Sequence, residues 1–188
     1  FKRTLLRPRG RGSSPYPFGV QAGKSPKNLV APQIEVFEQK ALLSALTFTV
    51  TTTNDTVDAN IGDGIAADSG GDTSLRAAIQ EANAATAASD HVFIDVPAGT
   101  YTFTLSGSDD ISAVGDLDIT NVNVPISIRG AGVGSTIIDA AGLDRVFEIF
   151  PGAEFTVSDV TIQNGTVPGG FGGGASNAGS ARFVRTTF

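Results

Sequence analysis

The sequence predicts an all-β body arranged as a solenoid of stacked coils. Three observations predict it. Hydrophobicity alternates with period two over many short segments, glycine-rich turns separate them, and a single helical segment precedes most of them. At 188 residues the chain is long enough for one domain with a real core, and 40% of it is hydrophobic. Only 17% is charged, while glycine reaches 23 residues, a mixture that suits short strands joined by turns better than helices. Cysteine is absent, which excludes a disulfide framework and a thiolate metal site.

Residues 1–33 are basic and rich in Pro, Gly and Ser, without a sustained period. They cannot bury enough apolar surface to offset the entropy of ordering, so a disordered segment is expected, with a basic nucleic-acid-binding arm as the alternative. Residues 1–40 hold eight Lys/Arg and two acids, whereas residues 41–188 hold five and seventeen. A basic leader therefore precedes an acidic body. The acidic surface argues against nucleic acid as a partner, because phosphates need positive charge. No apolar run approaches the roughly 18 residues of a spanning helix, so no transmembrane segment is read in this chain. The chain starts at Phe1, lacks methionine and stops on "ARFVRTTF", in mid-strand pattern, and reads as part of a longer protein.

Residues 34–45, "IEVFEQKALLSA", have the pattern of a short amphipathic helix. Within them "FEQKALLSA" resembles the L-E-x-R-x-L-L-S-A sorting peptide that opens many exported proteins of one bacterial phylum. Glu38, Leu42, Leu43, Ser44 and Ala45 match, and Phe37 and Lys40 stand for Leu and Arg. The resemblance implies an address rather than a folded element, with a plain surface helix as the alternative. The expected domains are thus a leader at 1–45 and a body at 46–188.

The body opens with "LTFTV" at 46–50, an alternating strand, followed by a polar loop. A helix is expected over 73–87, where Leu75, Ile79, Ala82 and Ala78 share a face and Asp72 or Thr73 can cap the start. Short strands follow: "HVFIDV", "TYTFTL", "LDIT", "ISIR", "STIID", "RVFEI", "FTV", "VTIQ" and "ARFV". The glycines at 130, 132 and 134 imitate a dinucleotide fingerprint. That site needs a helix after the glycines, and "STIIDAAGLD" is β-branched and broken early by Gly142, so these glycines read as a turn.

"ISIRG" and "VTIQNG" look like equivalent strands of successive coils, ended by Gly130 and Gly165. Inward positions would be Ile126, Ile128, Phe147, Ile149, Val157, Val160 and Ile162, and outward ones Ser127, Arg129, Arg145, Glu148, Thr161 and Gln163. Each coil would bury its apolar face only by stacking on the next. An antiparallel sandwich also has short strands and stands as the alternative.

Residues 73–84, "TSLRAAIQEANA", resemble the C-S-L-R-E-A-I-x-x-A-N-A signature of the CSLREA domain. Ser74, Leu75, Arg76, Ala78, Ile79, Ala82, Asn83 and Ala84 match, while Thr73 and Ala77 replace the Cys and Glu. Blocks such as "AGTYTFTL", "GDLDIT", "ISIRGAG" and "VSDVTIQNG" extend the resemblance from about Leu46 to Phe188. The resemblance implies an exported right-handed parallel β-helix of the pectin-lyase-like kind, the helix capping its N-terminal end and the C-terminal end truncated. It implies an extracellular or cell-surface location. It leaves activity open, since fold alone does not give function.

Sugar-cleaving enzymes of that architecture carry acids and an Arg or Lys base on their outer faces. Asp118, Arg129, Asp139, Arg145, Glu148, Asp159, Gln163 and Arg182 are the outward candidates, but they form no recognisable motif and read as solvated strand positions. No catalytic, cofactor or metal residue is assigned, and the reading leans away from an enzyme. "DANIGDGIAADS" fails the EF-hand register at Gly62, Asp63 and Ser69. A looser calcium site in the 55–72 loop, from Asp55, Asp58, Asp63 or Asp68, is the one cofactor kept open. His91 is the only histidine, which excludes a paired-histidine metal site, and it reads as the polar start of a strand. The glycine-rich run 168–180 reads as a corner loop rather than an anion nest. A structural or adhesive surface protein follows, with polysaccharides or cell-surface proteins as the partner classes. The alternative is the leading part of a polysaccharide lyase or glycoside hydrolase with its active coils beyond Phe188.

Overall fold

In the computed structural model the described residues are 45–86, 89–167, 170 and 172–188. The readings of residues 1–44, a disordered leader and a sorting peptide, fall outside them, as does Ala87 at the expected helix end. The elements run β1 (Leu46–Thr49), α1 (Leu75–Ala84), β2 (Val92–Val96), β3 (Gly99–Thr102), β4 (Leu117–Ile119) and β5 (Ile126–Gly130). They continue with β6 (Thr136–Asp139), β7 (Phe147–Ile149), β8 (Glu154–Gln163), β9 (Ala175–Asn177) and β10 (Ser180–Thr187).

Every ladder is parallel, which removes the antiparallel sandwich. One sheet has seven strands, ordered β1-β2-β5-β8-β6-β3 with β10 also on β8, and a second has three, ordered β4-β7-β9. The right-handed parallel β-helix expected from the sequence is corrected here. The described strands divide between two parallel sheets with one short helix, and no closed solenoid is found.

The physical reason lies in β8. This ten-residue strand bends at Asp159, which has φ +60°. Its first half pairs with β5 and its second with β6, so two ranks fuse into one bent sheet. Ile126 accordingly lies beside Phe155, and Ile138 beside Ile162, rather than "ISIRG" beside "VTIQNG" as the repeat reading had it. Arg185 of β10 follows Val184, which pairs with Ser158, and it shares the positive φ at +46°. The Arg185 guanidinium holds the Asp159 carboxylate at 2.5 and 2.6 Å. Gly130 fills the same rank on β5, where a Cβ would stand 2.3 Å from the Asp159 carbonyl.

The inward residues behave as the alternation predicts: Ile126, Ile128, Phe147, Ile149, Val157, Val160 and Ile162 are all buried. In-register pairing stacks like on like, as in the column Phe48, Ile94, Ile128, Val157. Ser127, expected outward, is also buried, under His91, whose Nε2 lies 2.7 Å from its Oγ.

Helix α1 starts later and ends earlier than its sequence pattern. Ser74, not Asp72 or Thr73, is the N-cap: its Oγ accepts from Ala77 N at 2.9 Å and donates to Thr56 O at 2.5 Å. Residues 75–82 are buried all round. Polar side chains on the outer face serve the loops that cover them. Gln80 Oε1 accepts from Asp58 N, and the Glu81 carboxylate accepts from Gly62 N and Gly64 N, each at 2.6 to 2.7 Å. Asn83 ties α1 to β4, donating to Asp118 O at 2.7 Å and accepting from Thr120 N at 3.0 Å.

Candidate functional site

Strand β4 is three residues long, and its neighbours set the character of the site. Leu117 and Ile119 point into the core. Asp116 and Asp118 lie two positions apart and therefore share the opposite side. Parallel pairing places Glu148 of β7 directly beside Asp118. Oxygens of Asp116, Asp118 and Glu148 lie within 4.8 Å of one another. Of the eight outward candidates, the fold brings Asp118, Glu148 and Arg145 together. Asp118 is not outward: it is fully buried.

The loop before β4 seals it. Asp118 Oδ2 accepts from Ser112 N at 2.7 Å, and Ser112 Oγ accepts from Asp118 N at 2.7 Å. Arg76 holds the same loop from beneath, donating to Ser112 O, Gly115 O and Asp116 O at 2.8 to 3.3 Å. Its Nε also donates to Asp55 Oδ1 at 2.6 Å. Arg145 spans the cluster, 2.8 Å from Glu148 and 3.4 Å from Asp116. The latter approach lacks hydrogen-bond alignment, and Asp116 Oδ2, Asp118 Oδ1 and Arg145 Nε are buried with no hydrogen-bond partner.

The electrostatics follow from this crowding. Burial, reinforced by Asp144, pushes the Asp116 carboxyl up to about 6, against the pull of Arg145. Burial pushes Asp118 up to about 7, and the Ser112 amide only partly opposes it. Such paired acids are the raw material of glycoside hydrolysis. Here they have no access to a polymer, because Asp116 and Asp118 are sealed beneath the loop.

The remaining candidates are dispersed. Arg129 lies on the outer face of the large sheet, 2.6 Å from Asp95, with its guanidinium over the Phe93 ring at 4.1 Å. Arg182 is exposed on β10. Asp139 accepts from Gln163 Nε2 at 2.8 Å and Asn164 Nδ2 at 2.9 Å; burial opposes these bonds, yet they hold its carboxyl below the usual range. Asp159 is engaged by Arg185, which lowers its carboxyl in turn.

In the 55–72 loop Glu81 of α1 and Asp63 crowd Asp58, whose Oδ2 is buried with no hydrogen-bond partner, while the other carboxylates turn to separate donors. Asp55 turns to Arg76, and Asp58 Oδ1 accepts from Asn60 N. Asp63 accepts from Asn60 and Ile65, and Asp68 accepts from Thr56, Gly70 and Asp72. Among the described residues, the group at Asp116 is the one place where three metal-capable side chains converge. Gly165 and Gly173 pack backbone to backbone, so a Cβ on Gly165 would meet the Gly173 carbonyl at 1.8 Å. That close approach explains Gly173 of the corner run and Gly165 before it.

Asp116 is the residue that sequence reasoning missed. Its signal was present: in "GDLDIT" two acids flank a core leucine at the spacing that puts both on one strand face. What could not be read was the pairing with Glu148, thirty residues downstream of Asp118. No known protein family matches the chain, nor does any curated protein or solved structure.

Proposed function

We propose that the chain is an exported structural or adhesive protein that presents one face of its large parallel sheet to glycans or surface proteins. The outer face of β1, β2, β5, β8 and β10 carries the reading. Register aligns Thr47, Phe93, Ser127, Thr156 and Arg182 in one row, and Thr49, Asp95, Arg129, Ser158 and Val184 in the next. Beside these rows His91, Glu154, Thr156 and Arg182 line a shallow open groove. A face with guanidinium groups, hydroxyls and an aromatic edge suits weak contact with a polyhydroxylated or carboxylated polymer. The likeness to the sorting peptide and to the CSLREA signature supports export. No described helix is long and apolar enough to cross a membrane.

Fractionated cultures and retention on immobilised polygalacturonate test the reading together. The full chain should leave the cell while a form lacking residues 1–45 stays inside. The purified chain should be retarded, and replacing Arg129 and Arg182 by Ala should abolish the retardation. Neither reducing ends nor unsaturated products should accumulate, with or without calcium. Turnover lost on replacing Arg129 or Arg145 would overturn the proposal in favour of an enzyme.

A further inference from the structure

We infer that Asp116, Asp118 and Glu148 bind a single calcium ion under the loop that precedes β4. Three carboxylates and the neighbouring Asp144 face one guanidinium, that of Arg145, in a region where Asp116 is 3% exposed and Asp118 not at all. Buried charge of one sign is costly unless a counter-charge reaches it. Arg145 compensates in part only, because its Nε finds no hydrogen-bond acceptor.

A second observation points to a ligand rather than to acidity alone. Asp118 gives one oxygen to Ser112, and its other oxygen is fully buried with no donor. Asp116 Oδ2 also accepts no hydrogen bond, with only the misaligned Arg145 Nε 3.4 Å away. Native interiors rarely leave such atoms without a partner. A cation between the two strands satisfies both at once.

Geometry selects the ion. Calcium binds oxygen at about 2.3–2.6 Å, so ligands on opposite sides of one ion stand up to roughly 5 Å apart. Magnesium demands near-ideal octahedral geometry at about 2.0–2.1 Å and dehydrates reluctantly, whereas calcium tolerates irregular carboxylate sets. Oxygens of the three carboxylates lie within 4.8 Å of one another, close enough to share one calcium ion. Asp118 on β4 and Glu148 on β7 are paired in register, and Asp116 immediately precedes β4 in the loop that Arg76 anchors. Glu148 is 32% exposed and gives the ion its route in from solvent. Water entering past it completes the oxygen shell.

Calorimetric titration of calcium chloride into the full chain, previously freed of divalent ions by chelator, tests the site. One saturable site per chain is expected, with magnesium chloride binding at least about tenfold more weakly. Glu148→Gln and Asp118→Asn should each weaken calcium about tenfold or more, since ligand charge sets affinity. Glu148 is partly exposed, so its variant keeps the fold even if the buried one does not. Asp63→Asn, in the 55–72 loop, should bind as the parent does. Arg145→Gln should bind calcium more tightly, because its guanidinium competes for Glu148 and Asp116. The inference is overturned by the absence of saturable calcium binding, by magnesium binding equally well, or by parent-like binding in Glu148→Gln. Loss of binding in Asp63→Asn or weakened binding in Arg145→Gln would overturn it too.

Discussion

Arg76 shows how much a single side chain can organise. It is 1% exposed, and its guanidinium meets the Asp55 carboxylate, backbone carbonyls and the Phe103 ring. Through Asp55 it also reaches the loop after β3, because Asp55 Oδ2 accepts from Thr104 N and Leu105 N. His91 lends itself to direct measurement, since it is the only histidine. Burial first, and the Arg129 charge second, hold its pKa below 6.5. A histidine depressed in the folded state binds fewer protons there than in the unfolded chain, so acid favours unfolding as pH falls below about 6.5. Its ring-proton resonance should titrate with a midpoint under 6.5, and Arg129→Gln should raise that midpoint without restoring it fully. A midpoint at or above 6.5 in the parent would contradict the packing. The sequence announced Arg76 only as part of a motif and His91 only as a strand start. Their partners lie 20 to 40 residues away along the chain, and no local pattern encodes them.

Among the elements, α1 is the one most fully written in the sequence, though not in its details. Its apolar face was legible from spacing. The burial of its polar face was not, because the loops that cover it come from 56–64 and 112–116. Ile79 is fully buried in the shared core. Ile79→Asp should destabilise the body by about 3 kcal/mol or more, from lost apolar burial and an unsatisfied carboxylate. Denaturant titration checks this, and a change within about 0.5 kcal/mol would mean that α1 is not part of the core. Strand β8 illustrates the opposite case. "EFTVSDVTIQ" reads as two short strands, and the positive φ at a non-glycine, Asp159, left no mark in the alternation. Across the ladder Arg185 shares the positive φ and pairs with the Asp159 carboxylate.

At the scale of the molecule, period-two alternation gave the inward face correctly, because burial of one strand face needs only local sequence. The division into sheets depends on which strands continue through a bend, and that is decided by hydrogen bonding between distant segments. The metal-capable cluster follows the same logic: its acids were visible one by one, while their convergence awaited the β4–β7 register. The wholly parallel pairing has a kinetic consequence. A parallel pair cannot close by a tight turn, and among the described residues no ladder joins segments nearer in sequence than those meeting at β6 and β8, while β1 must wait for β2 across the whole of α1. Each pairing therefore closes a long loop before any contact rewards it. Stopped-flow refolding should be slow, in the range of milliseconds to seconds typical of chains dominated by distant contacts. Microsecond refolding would be incompatible with this order of strands. Until the ladders close, the apolar columns and strand edges stand open to other chains, so the yield of refolding should fall as protein concentration rises.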